Sequence, residues 1–192
     1  LNKYFNMGTL EVICGPMFSG KSEELIRRLQ RTLYAKQTTI IFTPSIDTRY
    51  KANSISSHNG RTLKAVPIQN SSDMLKYIDE KTQVVGIDEV QFLSGNTIEI
   101  IMSIVNQGKR VICAGLDKTF KGEGFGIVPE LLALADDVTK LSSICMVCGN
   151  EATYTQRLID NKPASYNDPI ILIGASDSYE PRCRKCYTID KK

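Results

Sequence analysis

The chain opens its regular patterning with a short apolar and β-branched run, residues 9–14, that stops at Gly15. Six residues are too few for a helix and fit a buried strand. Over 21–35 the spacing changes: Leu25, Leu29 and Leu33 share one face, with Arg27, Arg28 and Arg31 around it, which predicts an amphipathic helix. A second strand is expected over 38–42, then a polar stretch, 43–61, rich in Ser and Asn. That stretch is longer than a structural connection needs and is expected to be functional or mobile. Further strands are predicted at 62–66, 84–87, 111–114 and 138–141. Helices are predicted at 72–80, 97–107 (stopped by Gly108) and 129–134. Strands alternating with helices imply a parallel sheet covered on both faces. From Ser142 onward the texture turns to hairpin-like pieces without a long helix, so a boundary is expected there, dividing 8–141 from 142–192. No internal repeat or low-complexity segment interrupts the pattern.

Composition narrows the class. The 192 residues are 42% hydrophobic, which excludes a disordered or collagen-like chain. A chain of this length buries roughly 70% of its unfolded surface and needs no disulfide framework. The net charge is +3, spread along the sequence, with its densest patches at Arg27-Arg28-Arg31 and Arg182-Arg184-Lys185. A dedicated nucleic-acid partner is therefore not expected. No run approaches the 18 apolar residues of a membrane span, and the first 15 residues lack a secretory pattern. The reading is cytoplasmic, without a membrane partner. Residues 1–6 show neither period nor motif, which makes Met7 the expected start.

The sharpest motif is Gly15-Pro16-Met17-Phe18-Ser19-Gly20-Lys21-Ser22, a glycine, four residues and Gly-Lys-Ser. Glycines let the backbone curl so that its N–H groups face phosphate oxygens, and the following helix adds its positive end. Lys21 is expected on the β- and γ-phosphates of ATP and the Ser22 hydroxyl on Mg²⁺. The strand ending at Gly15 and the helix opening at Lys21 are the context this motif requires.

The apolar strand at 84–87 ends in Asp88-Glu89. Ligands of such sheets lie beyond the carboxyl ends of the strands, so these acids are expected in the same crevice as the phosphate loop. Asp88 suits the Mg²⁺ shell, and Glu89 suits a general base acting on water or on a substrate hydroxyl. Four of the six cysteines form two knuckles, Cys145-x-x-Cys148 and Cys183-x-x-Cys186. Thiolates at this spacing satisfy a tetrahedral structural Zn²⁺ completely. Cys14 and Cys113 lie within apolar runs and read as core.

Taken together, these pieces resemble the type II thymidine kinases, over about 8–187. The matches are the loop at 15–22, Asp47-Thr48-Arg49, Gly86 to Glu89 with Gln91-Phe92, and Gly115-Leu116-Asp117 with Phe120 and Phe125-Gly126. The first knuckle, and Gly174 to Tyr179 leading into the second, complete them. The resemblance implies a P-loop NTPase-like α/β domain with a small C-terminal zinc-ribbon lid. It implies transfer of the ATP γ-phosphoryl group to the 5′-hydroxyl of thymidine or deoxyuridine, with Glu89 taking the proton. It further implies that Met17, Phe92, Leu116, Phe120, Phe125 and Tyr179 surround the pyrimidine. Backbone groups of Ile170, Ile171, Leu172, Ile173 and Gly174 would read its edge, and Asp47, Arg49 and Gln91 would lie with the phosphates. A homotetramer and inhibition by thymidine triphosphate follow from the same kinship. Leu93, Lys121 and Gly124 depart from the family's usual Phe, Arg and Pro. The competing reading is a nucleic-acid-dependent ATPase in which Asp88-Glu89 hydrolyse ATP, and the dispersed charge argues against it.

Overall fold

The computed structural model describes residues 7–45, 54–56, 60–171 and 177–190. Six parallel strands form the central sheet: β1 (Thr9–Gly15), β2 (Thr39–Pro44), β5 (Val66–Ile68), β6 (Val84–Ile87), β7 (Arg110–Leu116) and β8 (Asp137–Lys140). Their order is β5-β2-β6-β7-β1-β8. Alternation along the strands explains why both faces are covered. Leu10, Val12 and Cys14 point to one side, where Val85, Ile87, Val111 and Cys113 join them under α2 (Thr97–Asn106) and α3 (Val128–Leu134). Ile13, Val84, Ile112 and Ala114 point to the other, against Leu25, Ile26 and Leu29 of α1 (Lys21–Tyr34). All four residues of β6 are buried, as expected of a central strand in a parallel sheet.

Two predicted elements differ. The strand expected over 62–66 is two: β4 (Thr62–Lys64) pairs antiparallel with β3 (Ser54–Ser56), and the chain re-enters the central sheet as β5. The helix expected over 72–80 is a 3-10 turn, Ser71–Lys76. Asp73 accepts from the Asn70 N–H at 3.1 Å and fixes its start. Past its end, the Asp79 carboxylate accepts from the N–H groups of Lys81 and Thr82, a local alternative that competes with continued helix.

From Ser143 onward the strands are short and antiparallel. β9 (Ser143–Ile144) pairs with β10 (Glu151–Ala152), and β11 (Tyr154–Ile159) is flanked by β12 (Lys162–Pro163) and β13 (Asp177–Arg182). In the central sheet, Gly15 stands opposite Leu116, and Ile87 opposite both Phe42 and Cys113. The carboxyl ends of β1, β6 and β7 therefore finish side by side. No helix among the described residues is long and apolar enough to cross a membrane.

Candidate active site

The phosphate loop leaves β1 at Gly15 and enters α1 through Gly20, whose left-handed backbone (φ 83°) suits a residue without Cβ. The Pro16 carbonyl accepts from Lys21 Nζ at 2.7 Å and from Ser19 Oγ at 2.8 Å, so the loop closes on itself around that oxygen. Burial pulls the Lys21 pKa down, and the charges of Glu89, Asp88 and Asp117 oppose the shift. Phe18 is exposed and left-handed, φ 63°, a conformation that side-chain-bearing residues rarely adopt.

At the end of β6 the predicted pair of acids differs in environment. Asp88 is buried, donates its own N–H to the Phe42 carbonyl at 3.0 Å, and accepts at its carboxylate from Ser22 and from the Glu89 N–H. Burial, reinforced by the charge of Glu89, pushes the Asp88 carboxyl up to about 7 against those hydrogen bonds. The two side chains expected to hold Mg²⁺, Ser22 and Asp88, thus meet directly. Two adjacent oxygen donors, one of them a carboxylate, fit a hard cation.

Glu89 turns out of the strand with φ 51° and ψ 38°, left-handed for a non-glycine residue. Strain of this kind costs on the order of 1–3 kcal/mol and persists only where the surroundings enforce it. The Glu89 N–H donates to Asp88 Oδ1 at 3.0 Å and its carbonyl accepts from the Phe92 N–H at 3.1 Å, while its side chain is held by Gln91, whose Nε2 donates to Glu89 Oε2 and whose Oε1 accepts from the Leu116 N–H at 3.1 Å. Gln91 is 3% exposed. Its side chain braces Glu89 and lies outside the cavity lining. Gly115 and Gly126 make room for that brace: a Cβ on Gly115 would stand 2.6 Å from Gln91 Oε1, and one on Gly126 2.5 Å from the Gln91 carbonyl oxygen.

These elements enclose a cavity of about 820 Å³. Met17, Phe18, Gly20, Lys21 and Ser22 of the phosphate loop are among its lining residues. Glu89, Phe92, Leu116, Phe120, Phe125, Ile170, Ile171 and Tyr179 line it as well. Phe92 and Phe125 meet edge to face at 5.5 Å. Gly15, Pro16, Ser19, Asp88 and Gln91 lie outside the lining and support it. Asp47, Arg49, Leu172, Ile173 and Gly174 lie outside the described residues.

Sequence reasoning missed Lys118, Thr119, Thr155, Ser56 and Glu23 in the lining. It also missed Arg157, fully buried on β11, which reaches to 5.0 Å from the Phe120 ring and donates to the Pro169 carbonyl at 2.7 Å. Alternation along β11 places Thr155 and Arg157 on the same side, and that spacing is the signal available in the sequence. The three departures from the family pattern find local reasons. Leu93 is buried in the core under α2, and the Lys121 ammonium lies over the rings of Phe120 and Tyr166. Gly124 faces Pro129 so closely that a Cβ would stand 2.6 Å from its Cγ.

The four knuckle cysteines converge, with every Sγ within 4.8 Å of the others and Cys148 Sγ 3.6 Å from Cys183 Sγ. Tetrahedral thiolates on zinc, with bonds of about 2.3 Å, stand about 3.8 Å apart, so the donor set fits that ion. Two hydrogen bonds tie the segment that carries the knuckles to the phosphate loop: Met17 N–H donates to Thr155 Oγ1, and Ser143 Oγ donates to the Phe18 carbonyl, both at 3.0 Å.

Residues 8–187 match the family model described as thymidine kinase. With phosphate loop, paired acids and cysteine hub all inside the matched span, the chain belongs to the thymidine kinase family, whose members are ATP-dependent nucleoside kinases.

Proposed function

We propose that the protein transfers the γ-phosphoryl group of ATP to the 5′-hydroxyl of thymidine or deoxyuridine, giving the nucleoside monophosphate and ADP. The observation that carries this reading is that Glu89 lines one cavity together with Lys21 and Ser22 of the phosphate loop and a set of aromatic and aliphatic side chains. A carboxylate there can take the proton of a sugar hydroxyl as its oxygen forms the new bond to phosphorus. The bond between the γ-phosphorus and the bridging oxygen breaks, and ADP departs.

Each side chain has a place in that reaction. The loop Gly15 to Ser22 cradles the phosphates, with Lys21 neutralising charge on the transferring group. Ser22 and Asp88 would hold Mg²⁺, which would neutralise charge on the phosphates. Asp47 and Arg49 are assigned to the phosphates by kinship. Met17, Phe92, Leu116, Phe120, Phe125 and Tyr179 surround the pyrimidine, since flat aromatic and thioether surfaces suit a base. Backbone groups from Ile170 to Gly174 read its imide edge. Residues 8–141 act as the nucleotide-binding domain and 142–192 as a lid, pinned by zinc on Cys145, Cys148, Cys183 and Cys186. Zinc there is structural, because four thiolates leave it no open position. Assembly as a homotetramer and inhibition by thymidine triphosphate, which can fill both subsites, belong to the same reading.

Labelled thymidine incubated with Mg-ATP should yield labelled monophosphate. Glu89→Gln should lower kcat by about 10²-fold or more, the size of a general-base contribution, while Mg-ATP affinity stays near wild type. ATP hydrolysis stimulated by DNA, with no phosphorylated nucleoside, would decide against the kinase.

A further inference from the structure

The two hydrogen bonds from the C-terminal segment reach consecutive residues of the phosphate loop. Thr155, on β11, takes the Met17 N–H, and Ser143, two residues before Cys145, donates to the Phe18 carbonyl. A trans peptide is planar with its C=O and N–H pointing opposite ways, so fixing one fixes the other. Drawing the Met17 N–H to Thr155 turns the Pro16 carbonyl to the other side, where it accepts from Lys21 Nζ and Ser19 Oγ. Drawing the Phe18 carbonyl to Ser143 likewise commits the Ser19 N–H to the opposite direction. Between the two staples Phe18 keeps a left-handed backbone, φ 63°, a conformation that costs a residue with a Cβ.

We propose that Ser143 and Thr155 are positioning residues for the phosphate donor: they set the peptide planes of the loop from outside, before any nucleoside arrives. The C-terminal segment then shapes the ATP site as well as covering the acceptor. A loop whose amides already face the anion pays less to bind it. This rests on the assignment of Gly15 to Ser22 as the donor site.

The test measures Mg-ADP binding to the full chain by calorimetry without nucleoside, for wild type, Ser143→Ala, Thr155→Val and the hydroxyl-keeping Ser143→Thr and Thr155→Ser. Each hydroxyl deletion should weaken ADP by roughly three- to tenfold, the range of one neutral hydrogen bond, and the hydroxyl-keeping variants should stay within twofold of wild type. Ser143 lies outside the cavity lining, so Ser143→Ala should raise the KM for ATP and leave that for thymidine unchanged. A merely structural role would move both or neither. Mg-ADP affinity within twofold of wild type in Ser143→Ala and Thr155→Val overturns the proposal while the donor site stands. If Thr155→Val does not fold, the Ser143 pair decides by the same criterion. Folded wild type that fails to bind Mg-ADP overturns the donor-site reading and the staples with it.

Discussion

Gln91 joins two strand ends through one carboxamide. Its Nε2 holds the Glu89 carboxylate and its Oε1 takes the Leu116 N–H, so it links the acid at the end of β6 to the last residue of β7. Removing it withdraws the group that aims Glu89 and leaves the Leu116 N–H without its acceptor, while the phosphate loop keeps all its own contacts. Gln91→Ala should therefore lower kcat about tenfold or more, within the range of a displaced general base, and leave Mg-ADP affinity unchanged. Steady-state kinetics with ADP calorimetry check this. A raised KM for ATP with kcat intact would return Gln91 to the phosphates, where sequence had grouped it. The loop and both acids were legible because each occupies a fixed place in a short motif. The brace was not, since a buried glutamine between two strand ends looks in sequence like any polar residue after a strand. Its only trace is the pair of distant glycines, Gly115 and Gly126, that pack against it.

Among the elements, β1, β6, β7 and α1 follow their sequence patterns because burial of one face or both dictates their period. β11 does not. Thr155, Gln156 and Arg157 form a polar run that reads as exposed, yet each is at most 4% exposed. Thr155 and Arg157 serve the cavity side, while the Gln156 amide exchanges hydrogen bonds with the backbone of Thr188 on the other side. Partners brought from far along the chain, invisible to local patterning, satisfy all three. α1 carries a second polar arrangement at the opposite end of the sheet. Arg28 donates to Glu24 and to Glu11, and Arg110 donates to Glu11. Burial alone would raise Glu11, but the hydrogen bonds and charges of Arg110 and Arg28 outweigh it and hold the pKa below its ordinary 4.5. Hydrogen bonding to Arg27 leads the lowering of Glu24 to about 2. Both carboxylates titrate lower folded than unfolded. Their stabilisation is complete above the unfolded value near 4.5 and is lost as pH falls through the folded values. Thermal melts should show Tm falling steadily from pH 5 towards pH 2. Glu11→Gln should cost about 1–3 kcal/mol at pH 7, the scale of charged hydrogen bonds, and flatten that acid slope. An unchanged slope would mean that the cluster contributes nothing to acid unfolding.

At the scale of the whole molecule the two ends of the chain are stabilised by different physics. The central sheet buries apolar clusters on both faces, whereas around the knuckles the buried apolar cluster is Cys145, Ala152 and Cys183, with Cys186 packed against it. Burial that small supplies little of the free energy needed to order a segment of this length. An ion on the four thiolates would supply what is missing, because it would close the 34 intervening residues into one loop and its binding energy would become folding energy. That loop contains Thr155, Ile170, Ile171 and Tyr179, which line the cavity, and Arg157, which lies against the Phe120 ring. Stripping the metal with a chelator should release about one zinc per chain and open residues 142–190 to protease, while the sheet survives with its cooperative melt. Nucleoside binding should be lost entirely, since its wall is gone, whereas Mg-ADP should still bind more weakly to a loop that retains Lys21 and the start of α1. Mass spectrometry of the proteolytic fragments, with calorimetry of each ligand on the chelated protein, separates these outcomes. Intact protein with no zinc, or chelated protein that still binds thymidine at wild-type affinity, would mean that the segment orders without the ion.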